Sequence, residues 1–280
     1  MIGRDLTAVV FGLASAVSWG AGDFGGGLAT KRAPVFGVLA ISHTAGLLLL
    51  IGLALAWREP FPSATDLGWG VAAGVVGMVG LASLYRALAV GQMGLVAPVS
   101  AVLTAALPAL FGALTEGLPG ALKLTGFGLA LMGIWLVAGA GASAGTGKGL
   151  GLAFLAGCAF GTFFILLHRA GENLIFWPLV AARVGSLGLA LPITLARGRS
   201  WRLNVRLLGL MVLSGTLDVA GNTFFVLAGQ TGRLDVAAVL ASLYPASTVL
   251  LAAVLLGERM KRVQLAGVMA AFAAIALIAS

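Results

Sequence analysis

Apolar residues run along this chain in long unbroken blocks, separated by short stretches that hold the charges and much of the Gly and Pro. A helix of about 20 apolar residues crosses the hydrocarbon core of a bilayer. Ten such blocks fit, near residues 6–29, 35–57, 67–89, 95–115 and 122–142, then 149–169, 175–196, 206–228, 235–256 and 262–279. The blocks are continuously apolar and too long for the alternating strands of a membrane barrel. In lipid each backbone polar group must bond inside its own segment, so helices are expected. The connections are short: Arg32-Ala33-Pro34, Arg58-Glu59-Pro60-Phe61-Pro62, Glu116-Gly117-Leu118-Pro119. They leave no room for a soluble domain. The expected fold class is all-α and transmembrane.

An internal repeat orders these blocks. Gly12-Leu13-Ala14 recurs as Gly151-Leu152-Ala153, Gly22 and Phe24 as Gly161 and Phe163, and Gly46 as Gly185. Gly91-Gln92-Met93-Gly94 recurs as Gly229-Gln230-Thr231-Gly232, and Glu116 with Gly126 as Glu258 with Gly267. One such match means little in a Gly-rich chain, but the separation holds near about 139 residues throughout. Two halves follow, 1–145 and 146–280, of five helices each. Five is odd, so the second half enters the membrane from the opposite side. Inverted repeats of this kind are characteristic of transporters, where two similar halves expose a central site first to one side and then to the other.

Composition agrees. The chain has 280 residues, 60% hydrophobic and 9% charged, against roughly a quarter charged for a soluble domain. Its 42 Gly suit close helix packing in lipid. The net charge of +8 does not mark a nucleic-acid binder, because the basic residues punctuate apolar runs instead of forming one solvated face. Cys158 is the single cysteine, so no intrachain disulfide forms, and its plain role is packing. The first block follows Met1-Ile2-Gly3-Arg4-Asp5 and ends in Lys31-Arg32 without a small-residue cleavage site, which reads as a retained helix.

Ionisable groups inside membrane segments are expensive and face a cavity or a partner. Asp218 lies mid-way along the eighth block with Asn222 one turn on, Arg183 within the seventh, Asp23 in the first and His43 in the second. A zwitterion offers an ammonium for Asp218 or Asp23 and a carboxylate for Arg183, whose planar guanidinium grips carboxylates bidentately. The plainer alternatives are an Asp218–Arg183 pair gluing helices, Asp23 set against Lys31 or Arg32, and His43 packed and hydrogen-bonded. His43 as a proton carrier is the sharper option. His168, beside Arg169 at a block end, reads as interfacial. Glu116 and Glu258 precede the fifth and tenth helices and are expected to cap them, with coupling-ion binding as the alternative. Trp19, Tyr244, Phe224 and Phe225 either line the site or pack. Pro98, Pro108, Pro192 and Pro245 can kink their helices. Gly70, Gly74, Gly77 and Gly80 form a small-residue stripe suited to a close helix contact.

No enzyme motif holds up. Gly22 to Gly27 lack the Lys-Ser/Thr ending of a P-loop, no paired-Asp magnesium motif occurs, and two distant histidines with one cysteine do not make a zinc site. No cofactor is expected. Without an ATP site, transport would be driven by a gradient of protons or of the substrate itself. An intramembrane lipid-modifying enzyme and a lipid flippase are the rival readings.

The sequence resembles the drug/metabolite transporter superfamily, in particular its ten-helix EamA-type members. Ser18-Trp19-Gly20 looks like that family's Trp-Gly start, and Tyr85-Arg86-Ala87-Leu88 before Gly91-Gln92 like its third-helix ending. Ser242-Leu243-Tyr244-Pro245, Leu256-Gly257-Glu258-Arg259, Gln264 and Gly267 match its most recognisable stretch. The first-half copy departs, with Thr115-Glu116-Gly117 where Gly-Glu-Arg belongs. The resemblance implies an exporter of amino acids or related small polar metabolites in a bacterial inner membrane, as a monomer or homodimer, with its amino terminus in the cytoplasm. Arg197, Arg199, Arg202 and Arg206 would then lie outside, against the positive-inside tendency.

Overall fold

A computed structural model describes residues 2–90, 93–139, 149–170, 173–196, 203–256 and 261–279. Among these the chain forms eleven helices and no strand. The first-half helices are α1 (Ile2–Thr30), α2 (Val35–Ala56), α3 (Ala64–Val90), α4 (Met93–Glu116) and α5 (Ala121–Gly139). The second half holds α6 (Leu150–Ala170), α7 (Phe176–Ala196), α8 (Val205–Thr231), α9 (Leu234–Ala241), α10 (Tyr244–Leu256) and α11 (Arg262–Ala279). Among the described residues eight spans are long and apolar enough to cross a membrane. The apolar parts of α5 and α11, Ala121–Val137 and Arg262–Ile278, are shorter than expected, and these two helices pack on each other.

The ninth block differs from expectation, being two helices parted at Ser242-Leu243. Pro245 has no N–H to return to the carbonyl four residues back. The next donor, Ala246 N, bonds to Leu243 O at 2.9 Å, three residues back, so the turn tightens and the axis breaks. Together α9 and α10 still make one candidate span, Leu234–Leu255.

Glycine sets the closest crossings. A Cβ on Gly70 would lie 2.6 Å from the Pro178 carbonyl oxygen, and one on Gly74 would overlap the Ala182 carbonyl outright. Gly77 and Gly80 meet the rings of Phe163 and Phe160. The stripe is thus the seam joining α3 to α7 and α6. On the other side of the bundle Gly215 of α8 lies against the backbone of Ser42 in α2. Large apolar side chains such as Leu48, Leu114 and Val254 point outward, where acyl chains would cover them.

The end of α2 carries a backbone exception. Arg58 has φ 52°, the left-handed conformation that favours glycine, with Glu59 N bonded to Ala54 O at 3.0 Å and Arg58 N to Leu55 O at 3.1 Å. This is a Schellman cap with arginine at the position glycine normally fills. The turn aims Glu59 at the start of α7. Arg58→Gly is expected to stabilise the protein by about 0.5–1 kcal/mol, because glycine adopts this conformation without the Cβ clash. A thermal melt in detergent checks it; an unchanged or lower midpoint would remove the strain argument.

Candidate functional site

Asp23, His43, Arg183 and Asp218 come together where α1, α2, α7 and α8 cross. Serines next to small residues hold these helices at backbone distance. Ser42 Oγ donates to Met211 O at 2.8 Å, Ser214 Oγ to Gly22 O at 2.7 Å, and Ser15 Oγ to Gly221 O at 2.8 Å. Each bond crosses from the first half to the second, and a hydroxyl buried in an apolar bundle needs such a carbonyl.

Within this frame Arg183 Nη2 is ion-paired with Asp218 Oδ2, the arginine side chain 10% exposed and the aspartate 35%. The pairing reading therefore holds. Arg183 thus meets Asp218 through one of its guanidinium nitrogens. Asn222 Nδ2 donates to the Asp218 carboxylate at 3.2 Å and to its backbone oxygen at 2.7 Å, which orients the acid. His43 Nδ1 lies 2.8 Å from Ser186 Oγ, whose proton goes to Arg183 O at 3.0 Å, so the imidazole nitrogen is the donor in that pair. His43 is half-buried and within electrostatic reach of both Arg183 and Asp218.

Asp23 is different. It is exposed, makes no hydrogen bond or ion pair among the described residues, and lies within electrostatic reach of Asp218. Its neighbour Gly22 packs on the Ser214–Asp218 turn of α8. Asp23 does not pair with Lys31 or Arg32. At about 100° per residue it shares a stripe of α1 with Val9 and Ala16, both buried, whereas the outward apolar stripe of Val10 and Val17 lies well to one side. The inner stripe is sealed at Val9 and Ala16 and open at Asp23 and Gly27.

Trp19 and Tyr244 stand beside this cluster. The Trp19 ring stacks on Phe164 at 5.3 Å and Phe225 at 5.9 Å, with Phe164 and Phe225 4.5 Å apart, and it covers Gly221. It packs between α1, α6 and α8. Phe225 is fully buried in the same stack, and Phe224 stacks on Phe11 at 6.1 Å. Tyr244 opens α10; its carbonyl faces Gly20 of α1 and accepts from Thr248 Oγ1 at 3.1 Å.

One capping expectation needs correcting. Glu116 does not cap α5; its Oε1 accepts from Leu234 N at 3.2 Å, at the start of α9. Gly117, at φ 84°, turns the chain so that the Gly117 and Glu116 carbonyls both face Arg233. Arg233 also bonds Asp235 through Nε at 3.1 Å and Nη2 at 2.7 Å, which with Glu116 nearby holds the guanidinium pKa above its ordinary value. Glu258 lies outside the described residues. A further acid was missed altogether: Glu59 accepts from Ile175 N at 2.6 Å, Phe176 N at 2.9 Å and Trp177 N at 2.9 Å, crowning α7. The only cue was an acid in a short loop.

Residues 147–280 match the model of the EamA-like transporter family. No curated protein matches the chain in sequence. A solved crystal structure superimposes with a TM-score of 0.81, covering 96% of this chain and 97% of that one at 17% identity, a likeness of fold alone. With its apolar spans and that match over its second half, the chain is a multi-pass membrane protein similar to the EamA-type transporters.

Proposed function

We propose that this protein is a secondary transporter exporting amino acids or related small metabolites across a bacterial inner membrane, by alternating access between two inverted halves, 1–145 and 146–280. Packing supports the two halves. Exchanging α1–α5 with α6–α11 in order turns most of the major contacts into one another: α1 on α8 becomes α6 on α3, α2 on α8 becomes α7 on α3, and α1 on α9 and α10 becomes α6 on α4, while α4 on α5 is the exception, α10 barely touching α11. The pairs α2 with α7 and α5 with α11 map onto themselves.

The observation that carries the reading is Asp23, an uncompensated carboxylate inside a span, on the inner stripe of α1, where that stripe opens. Asp218 is neutralised by Arg183, so Asp23 is the group left to receive a substrate ammonium or a coupling proton. A charge kept unpaired at such depth is costly and is retained for function. In vesicles loaded with labelled amino acids, Asp23→Asn is expected to cut gradient-driven flux about a hundredfold, since the neutral amide forfeits a charge-assisted bond to an ammonium and cannot take up a proton. Flux within a factor of about three of the parent would remove Asp23 from the site.

A further inference from the structure

Successive helices of the bundle alternate in direction, so the α2–α3, α4–α5, α6–α7 and α8–α9 connections all lie at the end where the chain begins. Direct contacts agree: Gly232 abuts Ala8, and Ala8, Val9, Lys123 and Arg233 line one small cleft. At this end two second-half helices start without a cap of their own. Ahead of α7 the residues Leu174-Ile175 offer no acceptor side chain, and at α9 Arg233 occupies the cap position with no side-chain cap bond, the local acid Asp235 taking only Val236 N at 2.7 Å. Both caps come from the first half. Glu59 takes the free N–H groups of α7, and Glu116 takes Leu234 N of α9 while Arg233 binds the Glu116 and Gly117 carbonyls. The Trp177 indole adds a bond to Glu59 O at 3.2 Å, and its ring meets Phe61 edge-on at 5.2 Å.

We propose that Glu59 and the Arg233–Glu116 junction are two latches that close the amino-terminal end of the bundle, and that their release admits solvent to the polar cluster from that end. This rests on the alternating-access reading. A local cap would survive any movement of the halves, whereas a borrowed cap exists only while the halves touch. When they part, water takes up the freed N–H groups at the membrane boundary, so the latch is reversible. The inner stripe of α1 fits this state, buried at Val9 on the latched side and exposed at Asp23 and Gly27 toward the other end.

The test is labelling with a membrane-impermeant maleimide in a Cys158→Ser background, with single reporters Val9→Cys, Gly27→Cys and Leu50→Cys, a fully buried control. Gly27→Cys is expected to react readily, since its Cβ meets nothing within 4 Å, and Val9→Cys slowly. Adding Glu59→Gln, a change in the α2–α3 connection away from Val9, is expected to raise Val9→Cys labelling about tenfold, with Leu50→Cys unchanged, as loss of a charge-assisted cap shifts the closed population. Arg233→Gln should do the same. Unchanged Val9→Cys rates in both variants, or equal rises at Val9→Cys and Leu50→Cys, would overturn the latches. Labelling needs no substrate, so a failed flux assay bears on the export reading and leaves this result independent.

Discussion

Asp218→Ala is expected to cost the fold about 3 kcal/mol, because it strands the Arg183 guanidinium, only 10% exposed, without its partner. The loss comes from an unpaired buried charge and not from a missing attraction, which sets a sign on the companion experiments. Arg183→Met alone should cost less, since the partly exposed Asp218 keeps Asn222 and can draw in water. Arg183→Met combined with Asp218→Leu should recover most of the single-variant loss, since replacing both ions with apolar groups removes the desolvation cost as well. Thermal unfolding of the detergent-solubilised protein reads all three. A double variant no more stable than Asp218→Ala would show that the pair stabilises by more than mutual neutralisation.

Gly74→Ala carries the second large effect. An added Cβ overlaps the Ala182 carbonyl, and a backbone atom inside α7 cannot swing aside as a side-chain tip can. The helices must separate along their seam, at a cost of about 2–3 kcal/mol. Gly52→Ala in α2 is the control, because nothing stands within 4 Å of its Cβ, and alanine there should be neutral or gain up to about 1 kcal/mol from helix propensity. Melting midpoints of the two proteins should move in opposite directions. Equal small shifts would mean that the α3–α7 seam tolerates separation.

The helices were legible because lipid forces continuous apolar runs, and the block limits match α1 to α8 within a few residues. The Gly70–Gly80 stripe was legible for a related reason, since small residues at helical spacing have one simple use in a bundle. The split of the ninth block was foreshadowed by Pro245, yet its position at Ser242-Leu243 depends on which carbonyl Ala246 adopts. What could not be read was the identity of partners far apart in sequence. Asp218 has its arginine 35 residues away, and Glu116 finds its N–H 118 residues away. Both are polar groups whose local surroundings fit several roles. Glu59 was overlooked because a loop acid beside two prolines looks solvated until α7 is brought over it. The serines at the α1, α2 and α8 crossings were unremarkable in sequence for the same reason, as a hydroxyl in an apolar run usually returns to its own helix.

The break between α9 and α10 has a consequence for how this span bends. α9 is anchored at its first turn by Asp235, fully buried and tied to Arg233, and every residue from Leu234 to Ala241 is buried. α10 is only partly covered and leans on α1 at Gly20. The change of axis is therefore confined to two residues at Ser242-Leu243, where the buried Ser242 hydroxyl has no hydrogen-bond partner among the described residues. The joint sits near the middle of the span, so lengthening the external loops should leave the packing of α10 intact, whereas one inserted residue at this joint would rotate α10 by about 100° relative to its anchor.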